Sequence, residues 1–203
     1  DVYKIQLNKW HKDFKKSRNW IIFKNYILTT ILSIVISNSL ISQELIIGEE
    51  RVKPGIVFIF EGAIKDIVYP ENYNLAEELT DIHIEARVNW DTQNIPEGTP
   101  ANGFIPYLKI NAIVTNQITD LKTYVDLIPH INLVDNFHYA RNISLPGNID
   151  DKYEVEFFIN NPSKFDLSFH KDWLDNYSDS LIEDKVFKYS DISFSEIARL
   201  SRR

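Results

Sequence analysis

The sequence contains no cysteine and no methionine among its 203 residues. The lack of cysteine excludes disulfide bonds, a thiolate nucleophile and the cysteine-rich kind of zinc site. The lack of methionine removes the thioether, which is the other soft ligand that side chains offer to metals. Sulfur ligands are therefore excluded from any metal site in this chain, and imidazole and carboxylate are the main side-chain ligands left.

Positive charge is scarce beyond the first 43 residues. Residues 1–43 carry seven Lys and Arg against two Asp, which leaves 15 Lys and Arg against 27 Asp and Glu in residues 44–203. The body of the chain is thus near −12, by subtraction. Phosphate backbones would be repelled by such a body, so we expect no nucleic acid as a partner and regard cations as better suited.

An uncharged apolar run occupies residues 26–41 and follows a lysine-rich stretch, residues 9–24. This order, with the small residues Ser39 and Ser42 after it, is typical of a secretory signal whose apolar part is short for a membrane span. We predict export, with a targeting segment over residues 1–42 and one folded domain over residues 43–203. An uncleaved amino-terminal membrane anchor is the alternative.

Beyond residue 43, short β-branched and aromatic runs alternate with Pro, Gly, Asn and Asp, which predicts an all-β domain. The number of strands and the lack of a long helical period favour an immunoglobulin-like β-sandwich. A brief helical turn is expected within residues 74–80, and a short helix or a basic tail at the carboxyl end. The predicted strands are residues 56–64, 82–90, 107–115, 122–128, 152–159 and 185–194.

The segment TDIHIEARVNW, residues 80–90, alternates apolar and polar side chains. In an extended strand the isoleucines would enter a core, while Asp81, His83 and Glu85 would share the opposite surface. That surface has the chemistry to bind a metal. An ordinary solvated sheet face explains the same alternation.

Four histidines lie beyond the targeting segment, at positions 83, 130, 138 and 170. Each lies at a predicted strand, strand end or loop, and a sandwich could gather them into one pocket. No two of them form a short ligand motif such as H-E-x-x-H, so spacing alone does not decide between a site and scattered surface histidines.

Four blocks of the sequence resemble, in order, the periplasmic Fe2+ transport protein family, also described as pathogen-specific membrane antigens. The resemblance covers about residues 46–172 and implies an immunoglobulin-like sandwich, a homodimer, and a copper site used in iron acquisition beside a membrane iron permease. The blocks are TDIHIEA, ANGFIPYLKINAIVTN, LIPHINLVDNFHYARNI and GNIDDKYEVEFFINNPSKFDLSFHKD.

Carried over by position, the resemblance implies a metal site made of His83, Glu85, His130, His138 and His170. His130 is a departure, because it stands where the family has a methionine ligand. One extra residue also separates it from His138. Imidazole in place of a thioether favours Cu(II), with zinc or iron possible and Cu(I) less favoured. Asp81 and Asp135 are candidates for a surrounding acidic shell, or plain solvated and turn-forming carboxylates.

Two functions of different class are consistent with these residues. The first is a periplasmic metal-binding protein that helps to capture or hand over iron. The second is a copper-dependent oxidoreductase on the same sandwich, such as a ferric reductase or a superoxide-handling enzyme. A site closed by protein ligands favours the first, whereas an open coordination position favours the second. An adhesin-like domain with a structural metal is a third possibility.

Overall fold

The computed structural model describes residues 44–201, which form eight β-strands and confirm the all-β prediction. The predicted targeting segment, residues 1–42, lies outside the described residues. The strands are β1 Glu44–Val52, β2 Ile56–Ala63, β3 Ile82–Trp90, β4 Lys109–Asn116, β5 Lys122–Asn132, β6 Asn136–Ile143, β7 Tyr153–Asn160 and β8 Lys185–Ile192.

All eight strands belong to one antiparallel sheet, in the order β1-β2-β3-β6-β5-β4-β7-β8. The long strand β5 pairs with β4 up to Leu127 and with β6 from Ile128 onward. The sheet curls until its two edge strands approach, since the Tyr189 hydroxyl on β8 donates to Glu50 Oε1 on β1 at 3.1 Å. The finer prediction of an immunoglobulin-like sandwich is not confirmed by this pairing, because β5 joins both parts into one nearly closed sheet.

The hydrophobic core lies inside the curl of the sheet. In β3 the side chains of Ile82, Ile84, Ala86 and Val88 are fully buried, as the alternation in the sequence predicts. Phenylalanines from opposite parts of the sheet meet across the core, with the Phe60 and Phe157 rings 4.1 Å apart. Polar residues of β3 are thereby directed to the other face of the sheet.

Helical structure within residues 44–201 is limited to short segments. Two 3-10 turns span Glu71–Tyr73 and Glu77–Leu79, and two helices follow later, α1 at Lys171–Asn176 and α2 at Ser195–Ala198. The turn expected within residues 74–80 is present, and of the two alternatives for the carboxyl end the structure has the short helix. None of the helices in this part of the chain is long and apolar enough to cross a bilayer.

Strands β1 and β6 were not predicted from the sequence. The β6 region, DNFHYARN, is rich in Asn and Asp, which favour turns, yet in the structure His138 lies on a strand. Pairing with β3 on one edge and β5 on the other supplies the hydrogen bonds that offset this poor β-propensity. Strand β1 carries Gly48 and acidic residues and is interrupted by a bulge between Ile46 and Gly48.

The buried hydroxyl of Tyr139 on β6 ties down the segment that leads into β4. It donates to the Ile105 carbonyl at 2.9 Å and accepts from the Leu108 N–H at 3.1 Å. We expect Tyr139→Phe to lower the free energy of unfolding by about 1–3 kcal/mol, because two buried groups lose their partner. Urea denaturation measures this, with the exposed Tyr124→Phe as control. Equal stability of the two variants would contradict the assignment.

Candidate metal centre

Three neighbouring strands carry three of the predicted histidines. His83 and Glu85 lie on β3, His138 on β6 and His130 on β5, and these strands are adjacent in the sheet. His83 and Glu85 point away from the core because they alternate with buried isoleucines. His130 and His138 are directly opposite each other in the register of β5 and β6. Sheet pairing therefore brings residues from distant parts of the sequence onto one face.

The three imidazoles surround a common point. Each offers a ligand atom, and these atoms all lie within 4.8 Å of one another. The ring centroids are 5.3 Å apart for His83 and His130, 5.9 Å for His130 and His138, and 6.2 Å for His83 and His138. His83 is 5% exposed and His138 only 2%. One ion of transition-metal size could contact all three rings.

Asn142 fixes the orientation of His83 from the directly opposite position on β6. The Asn142 amide nitrogen donates to the Asp66 and Leu75 carbonyls at 2.8 and 2.9 Å, so its oxygen must accept. That oxygen lies 2.7 Å from His83 Nδ1. His83 therefore carries its proton on Nδ1 in the neutral ring, and its lone pair is on Nε2.

A backbone carbonyl fixes His138 in the same way. His138 Nδ1 lies 3.1 Å from the Asn136 carbonyl oxygen, which can only accept a hydrogen bond. The neutral ring therefore has its proton on Nδ1 and its lone pair on Nε2. That Nε2 lies 3.4 Å from Glu85 Oε2. The carboxylate and the imidazole thus present their ligand atoms side by side.

The surroundings of His130 are suited to a metal ion. Its Nε2 atom is buried, and no hydrogen-bond partner for it exists among residues 44–201. A buried polar atom without a partner costs about 1–3 kcal/mol, so native proteins rarely tolerate one unless another group pairs with it. An ion bound between the three imidazoles would supply that partner. The residues present are therefore suited to a metal ion.

Carboxylates outnumber cations beside the histidines. Glu61 on β2 is directly opposite Glu85, and Arg87 NH2 lies 2.6 Å from Glu61 Oε1. Arg87 also lies within 4.0 Å of Glu44 and Asp135. One guanidinium thus faces four carboxyl groups, two of them almost fully buried. This surplus of negative charge favours a bound cation.

Burial shifts the pKa values of Glu85 and His130 in opposite directions. Burial, reinforced by the carboxylates of Glu61, Asp135 and Glu44, raises the pKa of Glu85 to about 8. Burial, reinforced by His83, His138 and Arg141, lowers the pKa of His130 to about 4. Without a metal at neutral pH, Glu85 is therefore mostly protonated and His130 is neutral. A metal ion at this place would displace a proton from Glu85, whereas the neutral ring of His130 already has one nitrogen lone pair to offer.

Comparison with known proteins places this chain in a family. Residues 41–195 match the family described as Fe2+ transport protein. The chain belongs to the Fe2+ transport protein family. No curated protein matches the sequence significantly.

Solved structures with the same fold include two copper-containing structures of one protein, P19, and a structure of a second protein, FetP. A copper-bound variant of P19 from Campylobacter jejuni is 27% identical, with a TM-score of 0.61 over 73% of this chain and 96% of that one. Copper-reconstituted P19 is also 27% identical, with a TM-score of 0.61 over 72% and 94%. FetP from uropathogenic Escherichia coli is 23% identical, with a TM-score of 0.60 over 74% and 95%, and this likeness shows the fold alone.

The fourth histidine that the family resemblance implied, His170, lies apart from the other three. Within residues 44–201 it belongs to neither group of side chains that could share an ion. It is exposed and precedes the first turn of α1. Of the five predicted ligands, the described residues therefore bring together His83, Glu85, His130 and His138.

The two acids considered for a surrounding shell have different surroundings. Asp135 offers an oxygen within 4.8 Å of the ligand atoms of Glu85 and His138, so it lies beside the histidines. Asp81 instead accepts hydrogen bonds from the Leu145 N–H at 2.7 Å and the Ser144 hydroxyl at 3.2 Å. Asp81 thus fits the turn-forming alternative.

Sequence reasoning missed several residues that shape this site. Asn142 and the Asn136 carbonyl orient the histidines, and Glu61 and Arg87 set the local charge. Arg87 could have been found, because it continues the alternation of His83 and Glu85 along β3. The others become visible only once the register of β6 and β2 against β3 is known.

Proposed function

We propose that this member of the Fe2+ transport protein family is a periplasmic protein that binds copper and acts in high-affinity iron uptake beside a membrane iron permease. The observation that carries the proposal is the buried group of His83, His130 and His138, whose ligand atoms lie within 4.8 Å of one another beside Glu85. The copper-bound state of P19, at 27% identity, supports the same metal.

The donor set explains why copper is favoured. Three neutral imidazoles and one carboxylate suit Cu(II) best among the common divalent ions, with Zn2+ and iron as weaker competitors. When bound, copper would supply one-electron redox chemistry. Asn142 and the Asn136 carbonyl would hold two of the rings in the tautomer that presents Nε2. Glu85 would give up its proton to the surroundings as the metal enters.

Burial supports a binding protein in preference to the copper-dependent oxidoreductase. His83, Glu85 and His138 are each no more than 5% exposed, so a second substrate has little room to approach them. An enzyme would need a vacant, accessible coordination position. Transfer of iron between a carrier and a permease needs only a site that holds and releases its ion.

The proposal extends to the assembly of the chain, its architecture and its amino-terminal segment. We infer a homodimer, an immunoglobulin-like sandwich built from the two parts that β5 connects, and a targeting segment at residues 1–42. An uncleaved membrane anchor is the alternative for that segment. His170 completes the proposed ligand set. Since it is exposed and lies apart from the three imidazoles, it would reach the ion after a movement of its segment or from a second copy of the chain.

Introducing a methionine at position 130 tests the choice of metal. We expect His130→Met to shift the preference from Cu(II) toward Cu(I) by about tenfold or more, because a thioether is softer than imidazole. Competition titrations with a Cu(I) chelator and a Cu(II) chelator measure both affinities. Leu133→Met, which adds a thioether at an exposed position, is the control. An unchanged ratio in His130→Met would place His130 outside the metal site.

Cellular uptake of radioactive iron tests the biological role. Cells that have the permease but lack this protein are complemented with the wild-type chain, His138→Ala or the control Tyr124→Phe. The proposal predicts that wild type and the control restore uptake under iron limitation and that His138→Ala does not. Equal uptake with His138→Ala would show that the imidazole site has no part in iron acquisition.

A further inference from the structure

A cleft of about 950 Å³ lies at the end of the sheet remote from the histidines. Strand β3 begins beside the metal centre at His83 and ends at Trp90, and Asp91 directly after it lines the cleft. Asp91 is eight positions further along the extended chain than His83, which corresponds to a distance of about 26 Å. The cleft is therefore a separate feature from the proposed metal centre.

The walls of this cleft are held in place by hydrogen bonds and close packing. On one side, the Asp91 N–H donates to the Gly55 carbonyl at 2.8 Å. Gly55 has φ +115, and a Cβ there would approach the Asn94 carbonyl to 2.5 Å, so the turn and the loop lie in direct contact. On the other side, Asn161 Oδ1 accepts from the Leu181 and Ile182 N–H groups at 2.9 and 3.3 Å. The cavity is thus preformed.

Apolar and aromatic side chains provide much of the lining. Val52, Pro54, Ile95 and Leu181 contribute aliphatic surface, and Tyr177 contributes an aromatic ring. The Tyr177 ring is backed by Trp173, with centroids 4.7 Å apart. Clefts of 300–1,000 Å³ with such a lining are the usual binding sites of small organic molecules.

The charged residues of the lining leave one cation without an acidic partner. Arg51 pairs with Asp91 at 3.2 Å, and Lys185 pairs with Glu183 at 2.8 Å. Lys53 has no ion pair among residues 44–201, although the chain as a whole carries −7. A lone lysine beside an apolar cleft in an acidic protein complements an anionic group on an otherwise apolar ligand.

We propose that this cleft binds an amphipathic organic anion, with its acidic group at Lys53 and its apolar body between Ile95, Leu181 and Tyr177. The ligand class is a carboxylate or sulfonate attached to an aromatic or aliphatic body of drug-like size. Binding there is independent of the copper site and adds a second ligand to the function proposed above.

Two fluorescent probes that differ in charge test this proposal. 8-Anilinonaphthalene-1-sulfonate carries an anionic group, and N-phenyl-1-naphthylamine has the same aromatic body without it. Titration of wild-type protein should show saturable binding of the sulfonate at one site, with weaker binding of the neutral probe. Failure of the sulfonate to bind in a saturable way would overturn the proposal.

Variants locate the binding in the cleft. Lys53→Gln should raise the Kd of the sulfonate about fivefold and leave that of the neutral probe within about twofold, since an exposed ion pair contributes modestly. The exposed Lys122→Gln should change neither value. Ser178→Trp, which adds bulk at an exposed position of the lining, should weaken both probes. Unchanged sulfonate binding in Lys53→Gln, or undisturbed binding in Ser178→Trp, would contradict the assignment.

Copper titration separates this proposal from the function proposed above. Lys53→Gln should bind copper as wild type does, and His138→Ala should bind the sulfonate as wild type does. Loss of sulfonate binding in His138→Ala would show that the probe reports the metal centre, and the cleft proposal would fail while the copper proposal stood.

Discussion

His138→Ala is expected to lower the affinity for Cu(II) by at least about 100-fold. Changes to residues that merely orient a ligand typically cost 10–100-fold in metal affinity, so loss of the ligand itself should cost more. His138 faces both His130 and Glu85, with Nε2 3.4 Å from Glu85 Oε2. Truncation of His138 therefore removes one of the three imidazoles, the one whose Nε2 lies beside the Glu85 carboxyl group. Competition with a Cu(II) chelator at pH 7 measures the loss.

The controls for this variant separate ligation from folding. His138 is 2% exposed, so truncation to alanine leaves a cavity. Circular dichroism and urea denaturation establish whether the variant folds, and His138→Gln, with more of the volume kept, serves as a second variant. The exposed Tyr124→Phe is the control, because it should leave both folding and copper affinity unchanged. Copper affinity equal to that of the wild type in a folded His138 variant would remove His138 from the site.

Glu85→Gln should make the metal-free protein more stable at pH 8 and abolish most of the proton release on copper binding. The folded-state pKa of about 8 lies above the ordinary value of 4.5. Between these two values the unfolded chain ionises Glu85 more readily than the folded chain, so the wild type loses stability as pH rises from about 5 to 8. At about 1.4 kcal/mol per pKa unit, the loss amounts to a few kcal/mol.

Copper binding reverses the protonation of Glu85. At pH 7 the metal-free site holds most of one proton on this carboxyl group, and a bound cation would expel it. Calorimetry in buffers of different ionisation enthalpy measures the number of protons released per copper. The wild type should release nearly one proton from this group, with affinity that rises toward pH 8. Glu85→Gln should lack this contribution.

Glu97→Gln is the matched control, because it removes one exposed carboxylate from a loop. Its stability and its proton release should follow the wild type at every pH. If Glu85→Gln also followed the wild type in both measurements, Glu85 would be an ordinary ionised residue. The buried carboxylate would then have no part in the response of the site to pH.

The part of the site that lies on β3 could be predicted because it depends on local periodicity. Alternation of Ile82 and Ile84 with His83 and Glu85 settles which side chains share a face, and the structure confirms it. The pattern of hydrophobic residues likewise located six of the eight strands. Periodicity of this kind survives in a single sequence because each strand buries only one face.

The rest depends on pairing between strands that are far apart in the sequence. His130 and His138 meet because β5 and β6 form a hairpin with a specific register, and Asn142 reaches His83 because β6 lies beside β3. The polar residues of β6 are typical of a loop, and only the pairing with β3 and β5 shows that they form a strand. His170 has no periodic context, so only the family resemblance pointed to it. The structure does not place it among the other histidines.

Anomalous diffraction at the copper edge, from crystals of the wild-type protein soaked in Cu(II), tests the central claim most directly. The account predicts one strong peak per chain, about 2 Å from nitrogen atoms of His83, His130 and His138 and in reach of Glu85. A peak elsewhere on the acidic surface, with the space between the three imidazoles empty, would contradict it.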